Sequence, residues 1–143
     1  MLWREVGTVD IAPALALLPA AVFEDSGGTN GHLADPEPFM PFIHGLGLGK
    51  VTRAWVRKLP AGQGIPPHVD PKNHRSPKAR ERRFHVPLVT HPDVFLRWPD
   101  ADAEVHLRTG CIYEVDHTQM HEVVNHAPVD RIHLVADTVE VAA

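Results

Sequence analysis

From residue 50 onward, short apolar runs rich in β-branched residues alternate with clusters of turn formers, which predicts strands rather than helices. The runs are Val51 to Leu59, Ile65 to Asp70, Arg83 to Val89, Val94 to Trp98, Glu104 to Leu107, Ile112 to Val115, His121 to Val124 and Arg131 to Val139. Between them stand Pro60-Ala61-Gly62, Thr90-His91-Pro92-Asp93, Pro99-Asp100-Ala101-Asp102 and Thr109-Gly110, residues suited to reversing the chain. No stretch after residue 50 carries a long helical period, so an α/β alternation fits poorly. Eight short strands with tight turns predict an all-β fold, a double-stranded β-helix or jelly roll of the cupin-like kind.

The first fifty residues follow another pattern. Ile11 to about Ala21 predicts one short helix, with Asp10 as N-cap, Pro13 tolerated in the first turn and Pro19 as the stop. From Glu24 to Gly49 glycines and prolines dominate, yet Phe39, Met40, Phe42 and Ile43 give the segment apolar content. It is expected to pack over one end of the fold as a loop. The expected organisation is a single domain over 1–143, with a helix and loop segment (1–49) on a jelly-roll core (50–139).

Composition narrows the classes. At 143 residues, 43% hydrophobic and 22% charged, the chain is long enough to bury a core. A formal net charge of -4 gives no reason to expect nucleic-acid binding. No apolar run approaches the roughly 20 residues that span a bilayer, and the N-terminus lacks a secretory pattern, so a cytoplasmic protein without membrane association is expected. The lone cysteine, Cys111, excludes an internal disulfide or a Cys-rich zinc site and is expected to be buried and inert. Eleven histidines are more than ligand chemistry requires.

Four of the charged or imidazole positions stand out. His68-Val69-Asp70 ends an apolar run, and in an extended segment its two polar side chains point the same way. His121 follows on a later strand and Arg131 on the next, with Asn125-His126-Ala127-Pro128 between them predicting a hairpin that holds the two side by side. Two imidazoles and one carboxylate form the facial ligand set that binds non-haem Fe(II) and leaves positions open. A second His-x-Asp, His91-Pro92-Asp93, sits inside a turn where its side chains need not converge. Between Asp70 and His85 lie Lys72, Arg75, Lys78, Arg80, Arg82 and Arg83 against Glu81 alone. Both a solvated loop and a basic lid over an anionic ligand, spanning 72–83, fit that composition.

The order H-V-D at His68 to Asp70, R-x-F/H-x-P-L at Arg83 to Leu88, G-x-x-Y-x-x-D at Gly110 to Asp116, H-E-V-x-N at His121 to Asn125 and R-I-H-L-V-x-D at Arg131 to Asp137 resembles the aspartyl/asparaginyl β-hydroxylase family over about residues 50–138. The resemblance implies an Fe(II)- and 2-oxoglutarate-dependent oxygenase on a double-stranded β-helix. It implies His68, Asp70 and His121 as iron ligands and Arg131 as partner of the distal carboxylate of 2-oxoglutarate, with His85 and, more weakly, Arg83 beside the co-substrate. O₂ would be the oxidant, succinate and CO₂ the products, and an amino acid, as a small molecule or within a peptide, the substrate. A cupin-like metal isomerase or hydrolase, needing no Arg131, and a non-catalytic binding domain are the alternatives. Oligomeric state is not legible. Asp116 and Glu122 are expected to meet ligand histidines' far nitrogens or solvent, and His117, His126 and His133 to be structural. Trp55, Trp98 and Tyr113 are expected in the core or at the rim, and Asn125 in the turn before Pro128.

Overall fold

The computed structural model describes residues 1–25, 31–71 and 79–141. Strands β1 (Trp3–Thr8), β2 (Phe23–Asp25), β3 (Gly31–Leu33), β4 (Lys50–Leu59), β6 (Ala79–Val89), β9 (Cys111–Val115) and β11 (Arg131–Val141) form a seven-stranded sheet in the order β1-β9-β6-β11-β4-β3-β2. Strands β5 (Ile65–His68), β7 (Val94–Trp98), β8 (Ala103–Val105) and β10 (His121–Asn125) form a four-stranded sheet in the order β5-β10-β7-β8. All pairings are antiparallel. Two facing antiparallel sheets make the fold a jelly roll.

Strand β11 is central to the larger sheet and is buried from Arg131 to Val139 on both faces. Its Ile132, Leu134 and Ala136 join Val56, Phe84, Val86 and Leu88 in a core layer that also takes Ala14, Phe39 and Ile43. Those last residues come from α1 (Ala12–Leu15), from the turn leading into α2 (Met40–His44) and from α2 itself, so the N-terminal segment covers the outer face of this sheet. A second core of Leu59, Val94, Leu96, Trp98, Tyr113, Val115 and Val123 lies between the sheets. Alternation in β7 and β10, buried at every second residue, aims one face of each at that space.

The eight predicted strands are present, and three more come from the N-terminal fifty residues. Strand β1 escapes pattern reading because five of its six positions are exposed; it is held by pairing with β9 rather than by an apolar face. Strands β2 and β3 have three residues each, too few to show a period. The predicted helix 11–21 is shorter, four residues followed by a 3₁₀ turn at Leu18–Ala20, since the ring of Pro19 stops continuation. Asp10 Oδ1 accepts the amide of Ala12 at 3.0 Å.

The hairpin expected to join His121 to Arg131 does not form. Strand β10 pairs with β5 and β7, whereas β11 pairs with β4 and β6, so residues 126–130 cross from one sheet to the other. Asn125 nonetheless works in the turn: its Oδ1 accepts the Ala127 amide at 2.9 Å, and its Nδ2 donates to Pro60 and Gln63 carbonyls. The basic segment also divides. Residues 79–83 are part of β6, where Arg82 grips Glu114 at 2.7 and 3.0 Å; Lys72, Arg75 and Lys78 lie outside the described residues, and with them the question of a lid.

Strand β5 approaches β10 closely at Gly64, where an added Cβ would collide with the Val123 carbonyl oxygen. Gly64→Ala is therefore expected to push β5 off β10 and lower stability by about 1–3 kcal/mol, the usual cost of overpacking. Gly7→Ala, whose Cβ would meet only Ile112 Cδ1 at 3.9 Å, is the control and should unfold close to wild type in urea. Equal midpoints for the two variants would show that the β5 contact is not tight.

Candidate active site

The pairing of β5 with β10 sets His68 directly across from His121, their ring centroids 4.4 Å apart. Each ring is oriented from behind by the same device. His68 Nδ1 donates to the Pro66 carbonyl and His121 Nδ1 to the Gln119 carbonyl, both at 2.8 Å. With the proton held on Nδ1, each Nε2 presents a lone pair, the form in which imidazole binds metal. The turn supplying Gln119 is itself tied by Asp116, which accepts from Thr118 and from the Gln119 side chain at 2.6 and 2.8 Å.

Asp70 lies two residues beyond His68, where its amide donates to the His117 carbonyl at 3.1 Å. Its Oδ2 is 3.4 Å from His121 Nε2 and 3.6 Å from His68 Nε2. The three donor atoms lie within 4.8 Å of one another. His121 and His68, with Arg83 beyond them, hold the Asp70 carboxyl far below its usual range, so it is an anion. Two oriented imidazoles and a carboxylate on one side of a common point fit a divalent metal of the Fe(II) kind.

Arg83 explains how Asp70 is placed. From β6 its Nε and Nη2 bond both oxygens of the fully buried Asp137, at 2.8 and 3.0 Å, while Nη1 reaches Asp70 Oδ2 at 2.7 Å. The planar fork of arginine allows this double grip. Asp137 and Arg83 are neighbours across β11 and β6, so the carboxylate beside the histidines is referenced to the central strand.

The larger sheet opposes these groups with a cationic inner face. Register places Arg131, His133, Val135 and Asp137 of β11 beside Leu59, Arg57, Trp55 and Arg53 of β4. A cavity of about 350 Å³ lies between the sheets, lined by His68, Asp70 and His121 on one side and by Trp55, Arg57, His85 and Arg131 on the other. Arg131 is 3% exposed and makes no ion pair among the described residues, and its Nε has no hydrogen-bond partner there. Burial, and then the charge of Arg57, push its pKa down to about 9, so at pH 7 it remains a cation in need of an anion. His85 Nδ1 lies 3.1 Å from His133 Nδ1. Burial first, and Arg131 second, push both rings well below the ordinary histidine range, so both are neutral.

All six residues singled out from the sequence, His68, Asp70, Arg83, His85, His121 and Arg131, line this one cavity. His91 pairs instead with Asp93 in its turn, at 3.7 Å. His126, exposed, stands apart, while His117 and Trp55 are in the cavity wall. Sequence reasoning missed Arg53, Arg57 and the role of Asp137. The signal was the period of two in Arg53-Ala54-Trp55-Val56-Arg57, which sets three large polar or aromatic side chains on one strand face. Trp98 and Tyr113 are buried, with Trp98 Nε1 donating to the Asp116 carbonyl at 3.1 Å. Glu122 meets Arg97 at 3.6 Å.

Among solved structures, the chain is similar to the viral collagen prolyl hydroxylase vCPH of Paramecium bursaria Chlorella virus-1 in its 2-oxoglutarate complex. That match has a TM-score of 0.62 and 10% identity, over 100% of this chain and 97% of the other. It is also similar to SnoN, a non-haem α-ketoglutarate-dependent epimerase of nogalamycin biosynthesis (TM-score 0.61, 15% identity, 98% and 76% covered). A prolyl-4-hydroxylase of Pseudomonas putida matches at TM-score 0.53 and 16% identity, with 94% and 90% covered. At these identities the likeness is one of fold. A search of curated protein sequences gave no significant match. The family model for aspartyl/asparaginyl β-hydroxylase, however, matches residues 43–140, a span that holds both sheets' central strands and the whole cavity lining; the chain belongs to the aspartyl/asparaginyl β-hydroxylase family and is an enzyme of the 2-oxoglutarate-dependent hydroxylase kind.

Proposed function

We propose that the protein hydroxylates a C–H bond of an amino acid, free or within a peptide, using Fe(II), 2-oxoglutarate and O₂ and releasing succinate and CO₂. The observation that carries this reading is the placement of a buried guanidinium, Arg131, which has no ion pair among the described residues, on the sheet facing the His68, Asp70 and His121 cluster across one cavity. A metal site alone would not require it. His68, Asp70 and His121 would hold Fe(II), which would supply the activation of O₂, two of the four electrons coming from decarboxylation of 2-oxoglutarate and two from the C–H bond that is hydroxylated.

The chain's own residues bind, orient and exclude water. His68 and His121 offer lone pairs already oriented by Pro66 and Gln119 carbonyls, so little reorganisation accompanies metal binding. Arg131 takes the distal carboxylate of 2-oxoglutarate through two parallel hydrogen bonds, which sets the direction of the co-substrate as well as neutralising it. His85, in the wall beside it, adds a contact to the same molecule. Arg83 is occupied by Asp137 and Asp70, which supports a part in holding the carboxylate ligand more than direct contact with co-substrate. Leu96, Val115, Val123 and Val135 complete an apolar wall that keeps water from the reacting groups. Membership of the aspartyl/asparaginyl β-hydroxylase family supports an amino acid as the substrate class, in keeping with the prolyl hydroxylases among its structural neighbours.

Two predictions separate this reading from its rivals. His121→Ala should lose Fe(II) affinity by more than the roughly 10–100-fold that removing a ligand's supporting contact costs, whereas His91→Ala should bind iron as wild type does, both measured by anaerobic chelator competition. Equal affinities for wild type and His121→Ala would remove the metal assignment. Arg131→Leu should leave Fe(II) affinity nearly intact and weaken 2-oxoglutarate by about 2–5 kcal/mol, roughly thirty-fold to several thousand-fold. Arg131→Lys should recover part, restoring charge without the fork. Both are read by titrating 2-oxoglutarate into anaerobic Fe(II)-loaded protein and following the metal-to-ligand absorption band. Wild-type affinity in Arg131→Leu, or no binding by wild type, would favour a cupin-like enzyme that does not use 2-oxoglutarate.

A further inference from the structure

Arg131 borders two spaces. Beyond the large cavity lies a pocket of about 10 Å³, walled by Thr90, His133 and Arg131 among apolar residues that include Leu96 and Val123. Three polar atoms of these walls are buried and have no hydrogen-bond partner among the described residues: Thr90 Oγ1, Arg131 Nε and His133 Nε2. A space of that size is what one water occupies when two to four polar groups surround it. Here the residues that wall it carry three.

His133 also touches His85, Nδ1 to Nδ1 at 3.1 Å, with the rings nearly perpendicular at 83°. At that distance one nitrogen donates and the other accepts. Each neutral ring has one N–H, so the choice made at this contact also decides the far nitrogen of both rings. If His85 donates, its Nε2 turns a lone pair toward the large cavity. If His133 donates, His85 carries its proton on Nε2, on the side of the ring away from His133 and in the wall of that cavity.

The small pocket and the large cavity select the same alternative. Arg131 Nε–H is only a donor, and the Thr90 hydroxyl has no other acceptor among the described residues, so it donates too and the two fill the lone pairs of a shared water; were Thr90 to accept while His133 Nε2–H donated, the hydroxyl proton would be left buried without an acceptor. The water's own proton then needs an acceptor, and His133 Nε2 is one only when the ring proton sits on Nδ1. On the other side, an anion in the cavity is met by an N–H and repelled by a lone pair. We propose that His133 is a positioning residue: a single water shared with Thr90 and Arg131 holds its ring in the Nδ1–H form, and this holds His85 with an Nε2–H toward the anionic co-substrate. The inference deepens the 2-oxoglutarate reading and rests on it for the identity of the anion.

Long-range ¹H–¹⁵N spectra of the full-length, metal-free protein labelled in its histidines would read both tautomers directly, with assignment by the signals lost in His85→Gln and His133→Gln. The expected pattern is Nε2–H for His85 and Nδ1–H for His133; the reverse pattern overturns the proposal. Thr90→Val keeps the shape and removes the hydroxyl. It should turn His85 into a mixture of tautomers and raise the 2-oxoglutarate Kd by about tenfold, the scale of one weakened hydrogen bond to a charge. At saturating 2-oxoglutarate its kcat should stay near wild type, and Thr90→Ser should restore the Kd. A Thr90→Val protein with wild-type tautomers and Kd sinks the water bridge. Wild type that shows the expected tautomers but binds no 2-oxoglutarate supports the histidine arrangement and overturns the co-substrate reading alone.

Discussion

Asp137 is fully buried on the central strand, and the Arg83 guanidinium is what makes that burial tolerable. A buried carboxylate without a partner would be expelled or neutralised. Paired through two hydrogen bonds, it becomes a rigid reference inside the sheet, and the third arm of the same guanidinium extends to Asp70. A buried ion pair of this kind contributes less to net stability than its Coulomb attraction suggests, because desolvation offsets most of the gain. Its consequence here is geometric. The carboxylate beside the two histidines sits beyond the end of β5, where it would otherwise be free to swing.

The two sheets divide the work. The smaller one brings the histidines together through a single antiparallel pairing, and backbone carbonyls two residues before each histidine set the ring orientation. The larger one gives up apolar packing on part of its inner face to carry arginines and neutral histidines. Such a face is costly in a fold this small unless something compensates its charge. Asp137 and Asp70 do so for Arg83; for Arg131 the proposed co-substrate's carboxylate would do so. Over Val56, Phe84, Val86, Leu134 and Ala136 the outer face of the same sheet is apolar and is covered by the N-terminal segment, so β11 is supported from behind.

Much of this was legible in the chain. The period of two that marks the strands also sorts side chains by face, so Arg131, His133 and Val135 fall on one side of their strand by position alone. The H-V-D, H-E-V-V-N and R-I-H-L-V segments carried the family, because each binds residue type to strand position. Local chemistry likewise sufficed for Asn125 as a turn residue and for His91-Pro92-Asp93 as a pair outside the site.

Tertiary structure decided the rest. His121 and Arg131 are ten positions apart and look like neighbours on a hairpin, yet the chain between them changes sheets, because the register of β10 is claimed by β5 and β7 and that of β11 by β4 and β6. Strands β1, β2 and β3 are set by backbone pairing, β1 with β9, β2 with β3 and β3 with β4, a contribution that no side-chain pattern announces. The pairings of Arg83 with Asp137 and of His85 with His133 join residues about fifty positions apart. Sequence determined which side chains each strand would present and on which face; packing decided which faces meet, since hydrogen-bond register and burial act between segments and leave no trace within either one.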